Sequence, residues 1–256
     1  MSSKTYFFIN SSAGSKTGTN DTNALYYSFQ FPIQCLNIEY FTVRVCNSAI
    51  PIGWYNLNSY NNVLNYQVAA INYSVTLTPF QANINNFQAT LVTALANNGH
   101  TFTCTYDATN NTMVLSAAFD YIILSTSTIK DFLGLDFTNG NIDATFSTTY
   151  KVTSNKAVDF SYTKNIQIRG TIFTNQMNVN TPTPINDVIC IIPIIANFPN
   201  IIYYESTMAI KAETRKIDRC TFYIADSEGR TINMNNASWQ FSLEVIKERK
   251  RVKVVK

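Results

Sequence analysis

The single histidine of this 256-residue chain, His100, stands four positions before Cys104. In an extended segment, side chains 100, 102 and 104 share one face, so the spacing could set a thiol beside an imidazole base, as in cysteine hydrolases. A nucleophilic thiol also needs electropositive, partly exposed surroundings. The segment from His100 to Tyr106 has no basic neighbour, and it reads better as a strand that buries Cys104 after a turn at His100. Asp107, Asp120, Asp131, Asp136, Asp226 and Glu228 are the carboxylates available for paired acid–base work of the glycosidase kind. None has a distinctive spacing, and Asp107 and Asp226 fall in turn-forming stretches, where Asp is favoured for bonding its own backbone. Asp226-Ser-Glu-Gly229 is too short a ladder of oxygens for a calcium loop. GSKTG at Gly14 lacks the ending of a phosphate loop. Cys35, Cys46, Cys104, Cys190 and Cys220 form no CxxC pair, so neither a zinc site nor a disulfide framework is expected. No residue stands out as catalytic, cofactor-binding or metal-binding, and no enzyme activity is expected.

One charge cluster remains. Lys247, Arg249, Lys250, Arg251, Lys253 and Lys256 face a single Glu248, a net of +5, which leaves −2 for the rest of a chain whose total is +3. Such a tail fits contact with packaged nucleic acid or an acidic neighbour through counterion release. It fits equally a last strand whose lysines guard an edge. Without interleaved aromatics it is not a platform for stacking bases. Trp54 and Trp239 are expected to be core anchors. The most apolar run, Val188 to Phe198, contains Pro193 and is about half a membrane span, so no span is expected. MSSKTYFFIN has no leader-like apolar core, and thiols in a reducing compartment follow.

These residues must be held by β structure. Charged residues make up 14% of the chain and aromatics 13%, with abundant Asn, Thr, Ser, Ile and Tyr, a balance that favours half-buried strands joined by many turns. Residues 1–24 read as an N-terminal arm, Ile38 to Ile50 as a strand with Phe41, Val43 and Val45 on one face and Arg44 on the other. Residues 55–148 have a β-β-α-β-β texture. Asn85 or Asn86 would cap a helix carrying Phe87, Leu91 and Leu95, Asn98–Gly99 would end it, and a hairpin turns at DATNN. Ser127 to Leu135 reads as a second, short helix. From Lys151 onward the strand candidates are Val158–Ile168, Val188–Ile195, Ile201–Ala212, Ile217–Ala225 and Trp239–Ile246. Their spacing indicates a sandwich or barrel, and periodicity alone leaves the type open.

Specific blocks narrow the choice. VRVCNSAIPIGWYNLNSYNN, with Pro51, Trp54-Tyr55-Asn56 and Asn61-Asn62, resembles a signature of the penton proteins of virophages and Polinton-like viruses. So do the helix with Phe87, Leu91 and Leu95, the hairpin at Thr105-Tyr106-Asp107, Leu133-Gly134, and a closing hairpin with Asp226, Gly229 and Trp239. Pro79-Phe80 departs from the turn expected before the helix. The resemblance implies a mainly β chain: a single jelly-roll sandwich of residues 1–54 and 149–256, ending in a basic tail at 247–256, with residues 55–148 inserted as a small α+β module. It further implies a homopentamer at the icosahedral vertices of a small dsDNA virus, seated among double-jelly-roll major capsid proteins and assembled in the host cytoplasm or a viral factory. The rival reading is a β-sandwich attachment or carbohydrate-binding virion protein, motivated by loop-rich composition and Trp54.

Overall fold

A computed structural model describes residues 3–13, 15–16, 25–36, 39–170, 187–195, 199–212 and 216–249. The chain divides into two compact units, one of Met1–Trp54 with Thr163–Lys256 and one of Tyr55–Tyr162. The first unit opens with strands β1 (Ser3–Asn10), β2 (Ser15–Lys16), β3 (Leu25–Gln34) and β4 (Glu39–Pro51). The second holds β5 (Val63–Val68), β6 (Ile71–Thr76), helix α1 (Ile84–Asn97), β7 (Phe102–Asp107), β8 (Thr112–Ala117) and β9 (Ile122–Ile123). It continues with the one-turn helix α2 (Lys130–Leu133), β10 (Ile142–Asp143), β11 (Thr145–Phe146) and β12 (Tyr150–Thr153). The chain then returns to the first unit with β13 (Asn165–Gly170), β14 (Val188–Pro193), β15 (Ile201–Tyr204), β16 (Ile210–Ala212), β17 (Lys216–Asp226) and β18 (Gln240–Arg249).

The first unit is built from two antiparallel sheets. One runs β1-β18-β4-β15, with β16 also on β4, and the other runs β14-β13-β17-β3-β2. Among the described residues, take β15 and β16 as one interrupted strand and set aside the two-residue β2. The sheets then run first–eighth–third–sixth and fifth–fourth–seventh–second. That interleaving is two Greek keys rolled together, a single jelly roll.

Period-two alternation builds its core. Phe41, Val43 and Val45 of β4 are buried while Arg44 is not. Farther along, Ser48 and Ile50 take over the buried face; the phase changes opposite the register shift at Ser242/Leu243, a bulge that adds one residue to β4. Phe241, Leu243 and Val245 line the same side of β18, and Ile166, Ile168, Phe222 and Ile224 line the other sheet. Phe222 meets Phe241 edge to face at 5.1 Å, and Phe241 stacks on Trp239 at 5.8 Å.

Three expectations change. Residues 3–10 are not an arm: β1 pairs along its full length with β18, from Ser3 opposite Lys247 to Asn10 opposite Gln240. Ile9 enters the core, and the Trp239 amide donates to Ser11 Oγ at 2.8 Å. Residues 14 and 17–24 of that segment lie outside the described residues. Residues 149–162, placed by sequence in the sandwich, belong to the second unit, because β12 pairs with β8 and both Val158 and Phe160 join that unit's core; the strand sought at Val158–Ile168 starts only at Asn165. Ile201–Ala212 is two strands, both on β4, rather than one. The loop candidate at 174–184 lies outside the described residues.

The second unit has sheets β10-β9-β5-β6 and β11-β12-β8-β7. Helix α1 buries Phe87, Leu91 and Leu95, three residues one turn apart on one face. Its cap is Asn83, not Asn85 or Asn86: the Asn86 amide donates to Asn83 Oδ1 at 3.1 Å, and the Asn83 amide donates to Asn86 Oδ1 at 2.6 Å, a reciprocal capping box. Gly134 ends α2 at φ +61°, where a Cβ would approach Lys156 O to 2.5 Å. Among the described residues no helix is long and apolar enough to cross a membrane.

Candidate functional site

The histidine and the cysteine do not make a nucleophile. His100 Nδ1 lies 2.9 Å from the Tyr66 hydroxyl, and its ring meets Tyr73 edge-on at 4.4 Å. Burial pushes the Cys104 thiol up to about 12, so it stays protonated at neutral pH and is a poor nucleophile. Burial likewise raises Cys190 to about 11 and Cys220 to about 12. Among the described residues no three His, Cys, Asp or Glu side chains gather as metal ligands.

The singled-out residues close turns and fill cores. Pro51 ends β4 opposite Ile201, and Trp54 is buried. At the start of the second unit Tyr55 is exposed, whereas Asn56 is buried and fully used. Its Nδ2 donates to the carbonyls of Ala82 and Phe160, each at 2.8 Å, and its Oδ1 accepts from the amides of Ala82 at 2.6 Å and Leu57 at 2.9 Å. Asn61 Nδ2 donates to Asn56 O at 2.9 Å, and Asn62 Nδ2 donates to Leu77 O at 2.5 Å. The asparagines thus stand in for strand hydrogen bonds where the chain is irregular. Tyr106 donates to Asn111 Oδ1, and Asp107 accepts from Asn110 Nδ2 and the Thr109 amide; those bonds hold its carboxyl below the usual range.

In the closing hairpin, Asp226 is wholly buried and accepts from Arg230 Nε at 2.7 Å and from the amides of Glu228 and Arg230. Gly229 sits at φ +84°, and a Cβ there would come within 2.7 Å of Arg169 Nη2. That guanidinium reaches Gln167 Oε1 at 2.9 Å and Asp187 Oδ1 at 3.0 Å, while Tyr223 donates to Asp187. The glycine therefore makes room for an arginine from β13.

The most constrained charge was not among the sequence candidates. Glu244, on the outward face of β18, has no exposed surface; it accepts from Lys4 Nζ at 2.9 Å and Tyr6 Oη at 2.7 Å and lies 2.7 Å from Arg44 Nη2. The Lys4 hydrogen bond, opposed by burial and helped by Tyr6 and Arg44, holds its carboxyl below the usual value. The sequence signal was a carboxylate and an arginine at mid-strand positions on the polar phase of FSLEV and FTVRV. Of the basic tail, Lys247 and Arg249 belong to β18, opposite Phe41 and Glu39, and Glu248 accepts from Tyr40 and Thr42. Lys250, Arg251, Lys253 and Lys256 lie outside the described residues.

What these features define is a protein class by fold: a single jelly roll with an inserted α+β module. No family model and no curated relative matches its sequence. Among solved structures the chain is similar to the mavirus penton protein, with a TM-score of 0.50 at 9% identity, over 95% of this chain and 100% of that one. A match of that extent takes in both units. VP17, a capsid protein of bacteriophage P23-77, aligns at a TM-score of 0.23 and 7% identity over 96% and 97% of the two chains, too weakly to carry an argument.

Proposed function

We propose that this chain is a structural capsid protein, a penton that forms homopentamers at the icosahedral vertices of a small dsDNA virus, held among double-jelly-roll major capsid proteins. The observation that carries this reading is the likeness to a penton protein across 95% of this chain and the whole of that one, inserted module included. Two features support it. The conspicuous polar residues are consumed in turns and strand clips, which is how a chain behaves whose work is packing. The charges of β18 cancel, Lys247 and Arg249 against Glu244 and Glu248, and the basic excess that would meet a packaged genome lies in Lys250, Arg251, Lys253 and Lys256, which follow it in sequence.

The test is the mass of the purified protein by native mass spectrometry, followed by localisation in virions. A discrete five-chain ring, or vertex density in capsids for a chain that is monomeric alone, supports the reading. A monomer absent from capsids refutes it. A trimer that binds glycans would move the assignment to an attachment protein, for which the 530 Å³ groove between α1 and Thr76–Phe80, lined by Thr90, Thr93 and Asn97, is the place to look.

A further inference from the structure

The β1-β18-β4-β15 sheet carries large exposed apolar side chains at both of its edges and on the same outward face. On β1 these are Tyr6 (62% exposed) and Phe8 (63%); at the other edge they are Tyr203 (71%) and Ile201 (46%) of β15, and the connection from β15 to β16 adds an exposed Met208 (57%). Register places them. Phe8 lies opposite Ser242, Ser242 opposite Asn47, Tyr203 opposite Ala49 and Ala49 opposite Gln240, so these two rows are uncharged, whereas the row through Tyr6 crosses the Glu244–Arg44 pair.

An edge strand of this length is a liability, normally blunted by charge, proline or a bulge. β1 has none of these over its eight residues: its register with β18 is continuous, and its one lysine, Lys4, is turned onto Glu244 inside its own sheet. We infer that this edge is covered by a second copy of this chain, with the β1 edge of one subunit packed against the β15–β16 edge of the next. The inference rests on the pentamer reading, because an odd ring requires two different patches that meet head to tail. Pairing β1 with β1 would stop at two subunits and leave Tyr203 uncovered.

The areas agree with this. Taking about 150–250 Å² for a whole aromatic side chain, Tyr6 and Phe8 expose roughly 250 Å², and Tyr203, Ile201 and Met208 roughly 300 Å². Together they supply about a third of the ~1,600 Å² buried by a standard interface, as an aromatic centre that Asn47, Gln240 and Ser242 would surround with a polar rim.

The test uses the full-length chain and two variants, Phe8→Glu and Tyr203→Glu, each at an exposed position, with folding checked by circular dichroism; Phe8→Ser replaces the first if it misfolds. Each variant alone should lose the ring in native mass spectrometry, with a loss of affinity per contact of about thirtyfold or more for a hot-spot side chain. Ile71→Glu, on the exposed face of the second unit, should leave the ring intact. The decisive step is mixing: one isotope-labelled variant and one unlabelled variant each keep one sound edge, so chemical cross-linking should trap a one-to-one dimer and nothing larger. Rings that persist in either variant, or a mixture that yields no dimer or yields larger species, overturn this interface and leave the ring assignment standing. A wild-type chain that never forms rings, alone or in capsids, removes both.

Discussion

Replacing Trp239 by Ala tests whether the jelly-roll core is organised as described. The indole is 1% exposed, stacks on Phe241 with a 4° interplanar angle, and through Phe241 reaches Phe222 of the opposite sheet. A buried tryptophan removes about 150–250 Å² from water, which at about 25 cal/mol per Å² gives about 4–6 kcal/mol. That is an upper bound, since the unfolded chain already buries part of this surface. Measured large-to-small substitutions of aromatics put the cost at about 3–5 kcal/mol. Trp239→Phe keeps a ring against Phe241 and should cost roughly half as much. The chain has two tryptophans, Trp54 and Trp239, and both belong to the first unit, so tryptophan fluorescence follows that unit alone during urea unfolding, and Trp54 still reports in the variant. The midpoint should fall at unchanged slope. A cost below about 1 kcal/mol would refute the argument, because it would mean an exposed indole or a core that re-forms without it.

Asn56→Ala should destabilise the second unit by about 2–4 kcal/mol, because four backbone groups lose a buried partner; urea unfolding followed by far-UV circular dichroism measures it, and a neutral result would mean that water replaces the amide. Acid should loosen β1: Glu244 titrates below its ordinary 4.5 when folded, so its contribution is present above that pH and is lost as pH falls through the lowered value. Amide exchange of residues 3–10 should therefore accelerate, relative to the second unit, as the pH falls below the ordinary 4.5 of a glutamate in the wild type, and Glu244→Gln should show no such acid step; identical profiles would remove Glu244 as the clip. Gly229→Ala should cost about 1–3 kcal/mol through strain at φ +84° and displacement of Arg169, read from the urea midpoint of tryptophan fluorescence. Stopping the chain after Arg249 should leave that midpoint unchanged and weaken salt-dependent DNA binding, whereas stopping before Lys247 should also lower the midpoint by removing the Tyr40 and Thr42 bonds to Glu248.

What the sequence determined by itself is local. Helix α1 is written in the spacing of Phe87, Leu91 and Leu95, the hairpin of β7 and β8 in DATNN, and the buried faces of β4 and β18 in alternation. Each depends on residues a few positions apart, whose periods are set by backbone geometry. The cap of α1 escaped because three asparagines compete there and only the reciprocal bonds choose Asn83. The jelly roll was reached through resemblance of blocks, since alternation gives each strand its faces and not its neighbours.

Tertiary structure decided the pairings. β1 joins β18 across most of the chain's length, which turned a presumed arm into a sheet edge and put Lys4, Tyr6 and Arg44 around one buried carboxylate. β12 chose β8 over the sandwich, which moved residues 149–162 into the second unit. Tyr6, Phe8, Ile201 and Tyr203, at the two ends of one sheet, share a face only through that strand order. These outcomes depend on contacts between residues far apart in sequence, and the free energy that selects among them comes from burying whole faces together. No local window contains that information.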